Sequence, residues 1–162
     1  MSKGLTASIL LLILALSACG SEGGSGPFES SQGDPSPTDL LSPETATVLR
    51  AGQFADAERP TSGQVQLAQI NEQVHVLLGQ DFKTAKGPDL QVVLHRSSDL
   101  LAQLDPPTFP LQEADYVVIG PLRGTRGPQK YTVPASVNLA DYGSVAIWCR
   151  KFNATFGAAN LE

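Results

Sequence analysis

Cysteine and histidine are scarce in this chain of 162 residues, which holds two of each. The cysteines are Cys19 and Cys149, so no disulfide framework of several bridges can staple the fold. The histidines are His75 and His95. Neither belongs to a His-x-x-His, His-x-x-x-His or Cys-x-x-Cys spacing, so no zinc site is signalled. Each falls in an expected strand, where a solvent-facing position is the ordinary reading. A metal or haem pair formed by packing the two together is the sharper alternative. Basic excess is also lacking: 11 Lys and Arg stand against 16 Asp and Glu, a formal net charge of -5. That balance argues against nucleic acid and against a polybasic grip on anionic lipid. No long 3.6-residue periodicity occurs, which excludes a helical domain. No internal repeat is present. No Gly-x-Ser-x-Gly elbow, Walker loop or dinucleotide glycine pattern appears. Asp81, Asp89, Asp99, Asp105 and Asp115 do not have calcium-loop spacing.

What is present begins with a leader. Lys3 precedes an unbroken apolar run, Ile9 to Leu16. The run is short of the roughly 20 residues that a membrane span needs, and it suits a secretory signal. Leu16-Ser17-Ala18-Cys19-Gly20 follows. A hydrophobic residue, two small residues and a cysteine form the pattern of a bacterial lipoprotein signal. Small residues let the extended chain fit a peptidase cleft, and the thiol accepts the lipid. The reading is a signal peptide over 1–18, cleaved before Cys19, with Cys19 lipidated. Two or three acyl chains anchor stably where one is marginal. The expected location is the bacterial cell envelope, with the bilayer as partner through Cys19. Gly20, rather than an acidic residue, leans toward an outer membrane. Lipid on Cys19 leaves Cys149 as the remaining thiol, so the mature chain forms no intrachain disulfide.

Residues 20 to about 45 are rich in Gly, Ser, Pro and acids, as in Gly23-Gly24-Ser25-Gly26-Pro27. Such composition cannot build a core. The segment 19–47 reads as a flexible tether with an r.m.s. reach of roughly 25–30 Å. Ser42-Pro43 has the look of a short helix start. From residue 48 to 162 short apolar runs alternate with Gly, Pro and Asp, which reads as strands. A hairpin is expected over 64–78, turning at Asn71-Glu72. Further strands are expected at 90–95, 116–119, 129–133, 145–149 and 151–156, with a helical turn near 99–104. Val145 to Cys149 is apolar on both faces and should be central in a sheet. Phe152, Ala154 and Phe156 should share one buried face. The fold class is all-β, a small antiparallel sandwich or barrel.

Little chemistry stands out. Gly120 to Pro128 is glycine-rich with two arginines, but it lies between strands and does not open a helix, so it reads as a loop. Asn153-Ala154-Thr155 matches a glycosylation triplet at a strand position, where it has no such use. Cys149 is the one candidate for reactivity, and a reactive thiol needs exposure and nearby cations. Arg150 points to the opposite face of a strand from Cys149, and Lys151 to the same face.

The blocks Gly52-Gln53-Phe54, Thr61-Ser62-Gly63-Gln64-Val65, Asp81-Phe82 and Gly87-Pro88-Asp89-Leu90 carry a resemblance. So do Leu122-Arg123-Gly124, Gly127, Gln129 and Tyr131-Thr132-Val133-Pro134. Tyr142 to Cys149, then Phe152, Phe156-Gly157 and Ala159-Asn160-Leu161, are the most specific part. Over roughly 49–161 the chain resembles the DM13 domain, a module of exported bacterial and animal proteins, sometimes found next to DOMON domains. The resemblance implies an all-β fold and a proposed role in electron transfer. It implies that Cys149 acts as a bare thiol or as ligand to a prosthetic group such as haem. Pro128 departs from the pattern, standing where relatives often carry an acidic residue. Two functions follow as expectations. One is a redox accessory using Cys149, with an envelope or redox protein as partner. The other is a surface binding module with Cys149 packed beside Ile147 and Trp148. A stand-alone enzyme is not expected.

Overall fold

The structure is a computed structural model, and it describes residues 46–162. The leader, Cys19, the tether as far as residue 45 and the helix start at Ser42-Pro43 lie outside the described residues. In chain order the strands are β1 (Ala46–Gln53), β2 (Ala55–Asp56), β3 (Thr61–Ser62), β4 (Gln64–Ile70), β5 (Gln73–Leu78) and β6 (Lys83–Thr84). They continue as β7 (Leu90–His95), β8 (Tyr116–Pro121), β9 (Gln129–Thr132), β10 (Ser144–Cys149) and β11 (Ala154–Asn160). One short helix, α1 (Leu100–Gln103), follows β7, in the stretch expected to be a helical turn.

Two antiparallel sheets form the body. The first has the order β1-β4-β5-β9 and the second β2-β11-β10-β7-β8. Strands β3 and β6 make a small third pair. β4 and β5 are the expected hairpin. Asn71 and Glu72 both have positive φ, 48° and 67°, as the tight turn that matches strand twist requires. β1 opens at Ala46, which pairs with Ile70, so pairing starts two residues inside the stretch read as tether.

Alternation of side chains builds the core between the sheets. Val65, Leu67, Val76 and Leu78 come from one sheet, and Leu90, Val92, Leu94, Val145 and Ile147 from the other. β10 lies between β7 and β11 and is buried along its whole length, as its apolar character on both faces predicts. Ala146 and Trp148 face away from the sandwich interior. They pack with Val93, Leu100, Leu111 and Ala158 in a second cluster on the outer face of the same sheet. The segment from α1 to β8 supplies the cover.

The chain after Cys149 differs from expectation. Residues Arg150–Phe152 form a 3-10 turn, Asn153 is left-handed at φ 45°, and β11 starts only at Ala154. Phe152 is 61% exposed, while Ala154 and Phe156 are buried as expected. The reason is topological: Cys149 pairs directly with Ala154, so the residues between them must reverse the chain. Lys151 therefore sits in this exposed turn and not beside the thiol on a continuing strand.

Candidate functional site

Cys149 ends β10. Its Cα partners are Leu90 on β7 and Ala154 on β11. Period-two alternation with Val145 and Ile147 turns its thiol into the inter-sheet core. The residue is 0% exposed and carries a free thiol. Burial among apolar neighbours is the setting of an inert, packed cysteine.

The surroundings are held by a polar frame one residue outside the core. The Asp89 carboxylate accepts from Arg150 Nε at 2.8 Å and from Gln91 Nε2 at 2.6 Å. The Arg150 hydrogen bond holds that carboxyl below the usual carboxylate range. Arg150 N–H donates to the Asp89 carbonyl at 3.0 Å, so β7 and the turn after β10 are tied by both main chain and side chain. A hollow of about 300 Å³ lies beside this frame, between residues 87–91 and 121–125.

The two histidines are not brought together. His95 is on β7, in the second sheet, and His75 is on β5, in the first. Both are 5% exposed, which corrects the expectation that they face solvent. His95 is enclosed because the chain after β7 folds back over it, and Ser97 N–H donates to its Nδ1 at 3.1 Å. His75 lies between Ala68 and Thr132, with Nδ1 3.3 Å from the Thr132 hydroxyl. Burial lowers both pKa values. Lys130 lowers His75 further, while Asp115 partly opposes the shift at His95.

Ser144 stands directly opposite His95, and its buried hydroxyl has no hydrogen-bond partner. The two do not form a nucleophile and base. Accepting the Ser97 N–H at Nδ1 puts the proton of the neutral ring on Nε2, which then cannot accept one from serine. The glycine-rich loop is equally committed. Gln129 Oε1 accepts from Arg123 N, Gly124 N and the Tyr131 hydroxyl, and Gln129 Nε2 donates to the Gly124 carbonyl. The Leu122, Arg123, Gly124 and Gly127 N–H groups are already used within the fold, in keeping with the loop reading.

Asn153 is the residue that sequence reasoning missed. Its Oδ1 accepts from Trp148 Nε1 at 2.9 Å and from Leu111 N at 3.0 Å, and its Nδ2 donates to the Leu111 carbonyl. Two positions on, the buried Thr155 hydroxyl donates to the Phe109 carbonyl at 2.7 Å. The triplet that looks like a glycosylation acceptor pins the outer cover onto the sheet. An asparagine just past an apolar strand, where left-handed turns favour that residue, was the available signal.

The fold thus defines a two-sheet, antiparallel module that encloses one thiol near a loop-bearing end. The electron-transfer DM13 family model matches residues 53–161, and the chain belongs to that family. No curated protein and no solved structure matches the chain.

A redox family raises the question of a prosthetic group, and the residues here do not fit one held by Cys149. The thiol is enclosed, and its strand partners Leu90 and Ala154 offer no ligand atom. His95 lies five strand positions from Leu90, about 17 Å along β7. His75 lies on the outer face of the other sheet. No group of three or more His, Cys, Asp or Glu among the described residues could hold a metal ion.

Proposed function

We propose that this protein is an exported electron-transfer accessory, tethered to the cell envelope by lipid on Cys19. Its β domain serves redox exchange with another envelope protein, and Cys149 is the candidate residue for that exchange. The match to the electron-transfer family over nearly the whole described domain is the observation that carries this reading. Cys149 is its focus because it is the thiol left once Cys19 takes lipid.

A second reading is a surface binding module in which Cys149 only packs, and the 0% exposure of that residue favours it. One experiment separates the two. The full chain is produced in an exporting host, and its visible spectrum is recorded before and after dithionite. Alkylation of native Cys149 is followed alongside. Reaction well ahead of global unfolding, or a chromophore lost in Cys149→Ser, supports the redox reading. A colourless protein whose thiol reacts only on unfolding supports the packed one and sinks the other.

The anchor has its own test. Cys19→Ser is expected to release or misprocess the protein. Unchanged membrane fractionation of that variant would remove lipidation at Cys19 from the account.

A further inference from the structure

The chain is acidic overall, yet its cations are not spread evenly. Six exposed ones lie near one another: Lys83 on β6 and Lys86 in the loop after it, Arg123 and Arg126 in the loop after β8, and Arg150 and Lys151 in the turn after β10. Several contacts bring these segments together. Lys83 bridges to Arg126, and Thr84 N–H donates to the Thr125 carbonyl at 2.9 Å. Leu122 N–H donates to the Leu90 carbonyl at 2.8 Å, and Arg150 N–H to the Asp89 carbonyl. The carboxylates on the same loops are Asp81 and Asp89. Asp89 is spent on Arg150, and Asp81 accepts from Gln64 N–H at 3.1 Å. On the flank past the start of β11, Glu58 is paired with Arg59, and Asp105 is exposed. The loops therefore carry a local positive excess on an acidic molecule. The exposed Phe152 stands beside Arg150 and Lys151 in the same turn, with Lys151 Nζ 5.7 Å from its ring centre. Arg123, Arg126 and Arg150 and the exposed Phe152 are of the residue types enriched at protein-docking surfaces.

We infer that this loop end is a docking surface for an acidic protein, whose carboxylates meet Lys86, Arg126 and Lys151. Cys149 ends the strand that leads into this surface. Opposite charges steer encounter and fix orientation, which a transient electron-exchange complex needs. The partner's role as a redox protein rests on the reading proposed above, whereas the charge complementarity does not.

The test uses the full lipidated chain reconstituted into neutral phosphatidylcholine vesicles. Fluorescent poly-L-glutamate is the probe for an acidic polypeptide, and phosphatidylglycerol vesicles are the probe for an anionic lipid surface. One variant neutralises the patch: Lys86→Gln, Arg126→Gln and Lys151→Gln together. A second makes the same change in net charge at exposed positions elsewhere: Gln53→Glu, Gln69→Glu and Gln73→Glu together. The expected result is polyglutamate binding that weakens with salt and falls about tenfold or more in the patch variant. The control variant should lose about twofold or less. Absence of binding, equal loss in both variants, or capture of the anionic vesicles in place of polyglutamate would overturn the inference. The assay does not use Cys149, so failure here leaves the redox reading to its own spectroscopic and alkylation test.

Discussion

At the scale of the residue, burial governs what each titratable or reactive group can do. His95 shows this with a sign that can be measured. Its folded pKa is lowered from 6.5, chiefly by burial. The unfolded chain therefore takes up the proton first as pH falls. The contribution of His95 is complete above about 6.5 and is lost as pH drops through the window below it. His75 shifts in the same direction, so both act together. The thermal midpoint is expected to fall between about pH 7.5 and about pH 5, and to fall less in His95→Gln. Equal slopes in the two proteins would show that His95 is not the group responsible. Neither histidine was legible as buried from sequence, because strand alternation does not reveal what covers the outer face of a sheet. Cys149 was legible as a core candidate, since Val145 to Cys149 is apolar on both faces.

At the scale of the element, the turn that joins β10 to β11 carries the most weight per residue. Alternation alone extends the strand to Phe156. Pairing of Cys149 with Ala154 requires a reversal instead, and Asn153 supplies it from the left-handed region. The same side chain holds Trp148 and both main-chain polar groups of Leu111. Asn153→Ala removes these bonds and is expected to lower stability by about 1–3 kcal/mol in urea unfolding. Asn153→Asp keeps the acceptor and should lose less. If the two variants are equally stable, Asn153 is only a turn residue. Gly157, on β11, shows a packing constraint of the same kind. An added Cβ would lie 2.4 Å from Thr61 Cβ and 2.6 Å from the Ala55 carbonyl oxygen, so glycine lets β2 and the start of β3 close onto β11.

At the scale of the whole molecule, the C-terminal residues close onto the first strand. Ala51 and Glu162 exchange main-chain hydrogen bonds at 2.9 Å in both directions, and Leu161 N–H donates to the Gly143 carbonyl. Leu161 is 7% exposed and belongs to the inter-sheet core. Removal of Leu161 and Glu162 deletes one buried leucine and these three hydrogen bonds. The expected loss is about 3–6 kcal/mol, a large part of the stability of a domain this size. A loss near zero on chemical denaturation would mean that the sheets hold together without this closure. Charge is also organised at this scale. The -5 of the full chain arises mostly ahead of the β domain, where Glu22, Glu29, Asp34, Asp39 and Glu44 face no Lys or Arg within 20–45.

Sequence by itself determined what depends on local order along the chain. The all-β class, the β4–β5 hairpin and the double-sided burial of β10 are written in runs and spacings of neighbours. Family membership was legible too, because blocks from Gly52 to Leu161 recur in order. Tertiary structure alone decided what depends on which distant residues meet. It enclosed the Cys149 thiol, kept His75 and His95 on separate sheets, and gave Asn153 its three bonds. It also gathered cations from three separate segments onto one end. The physical reason is that burial and net charge are properties of a surface, and a surface exists only once the sheets have closed.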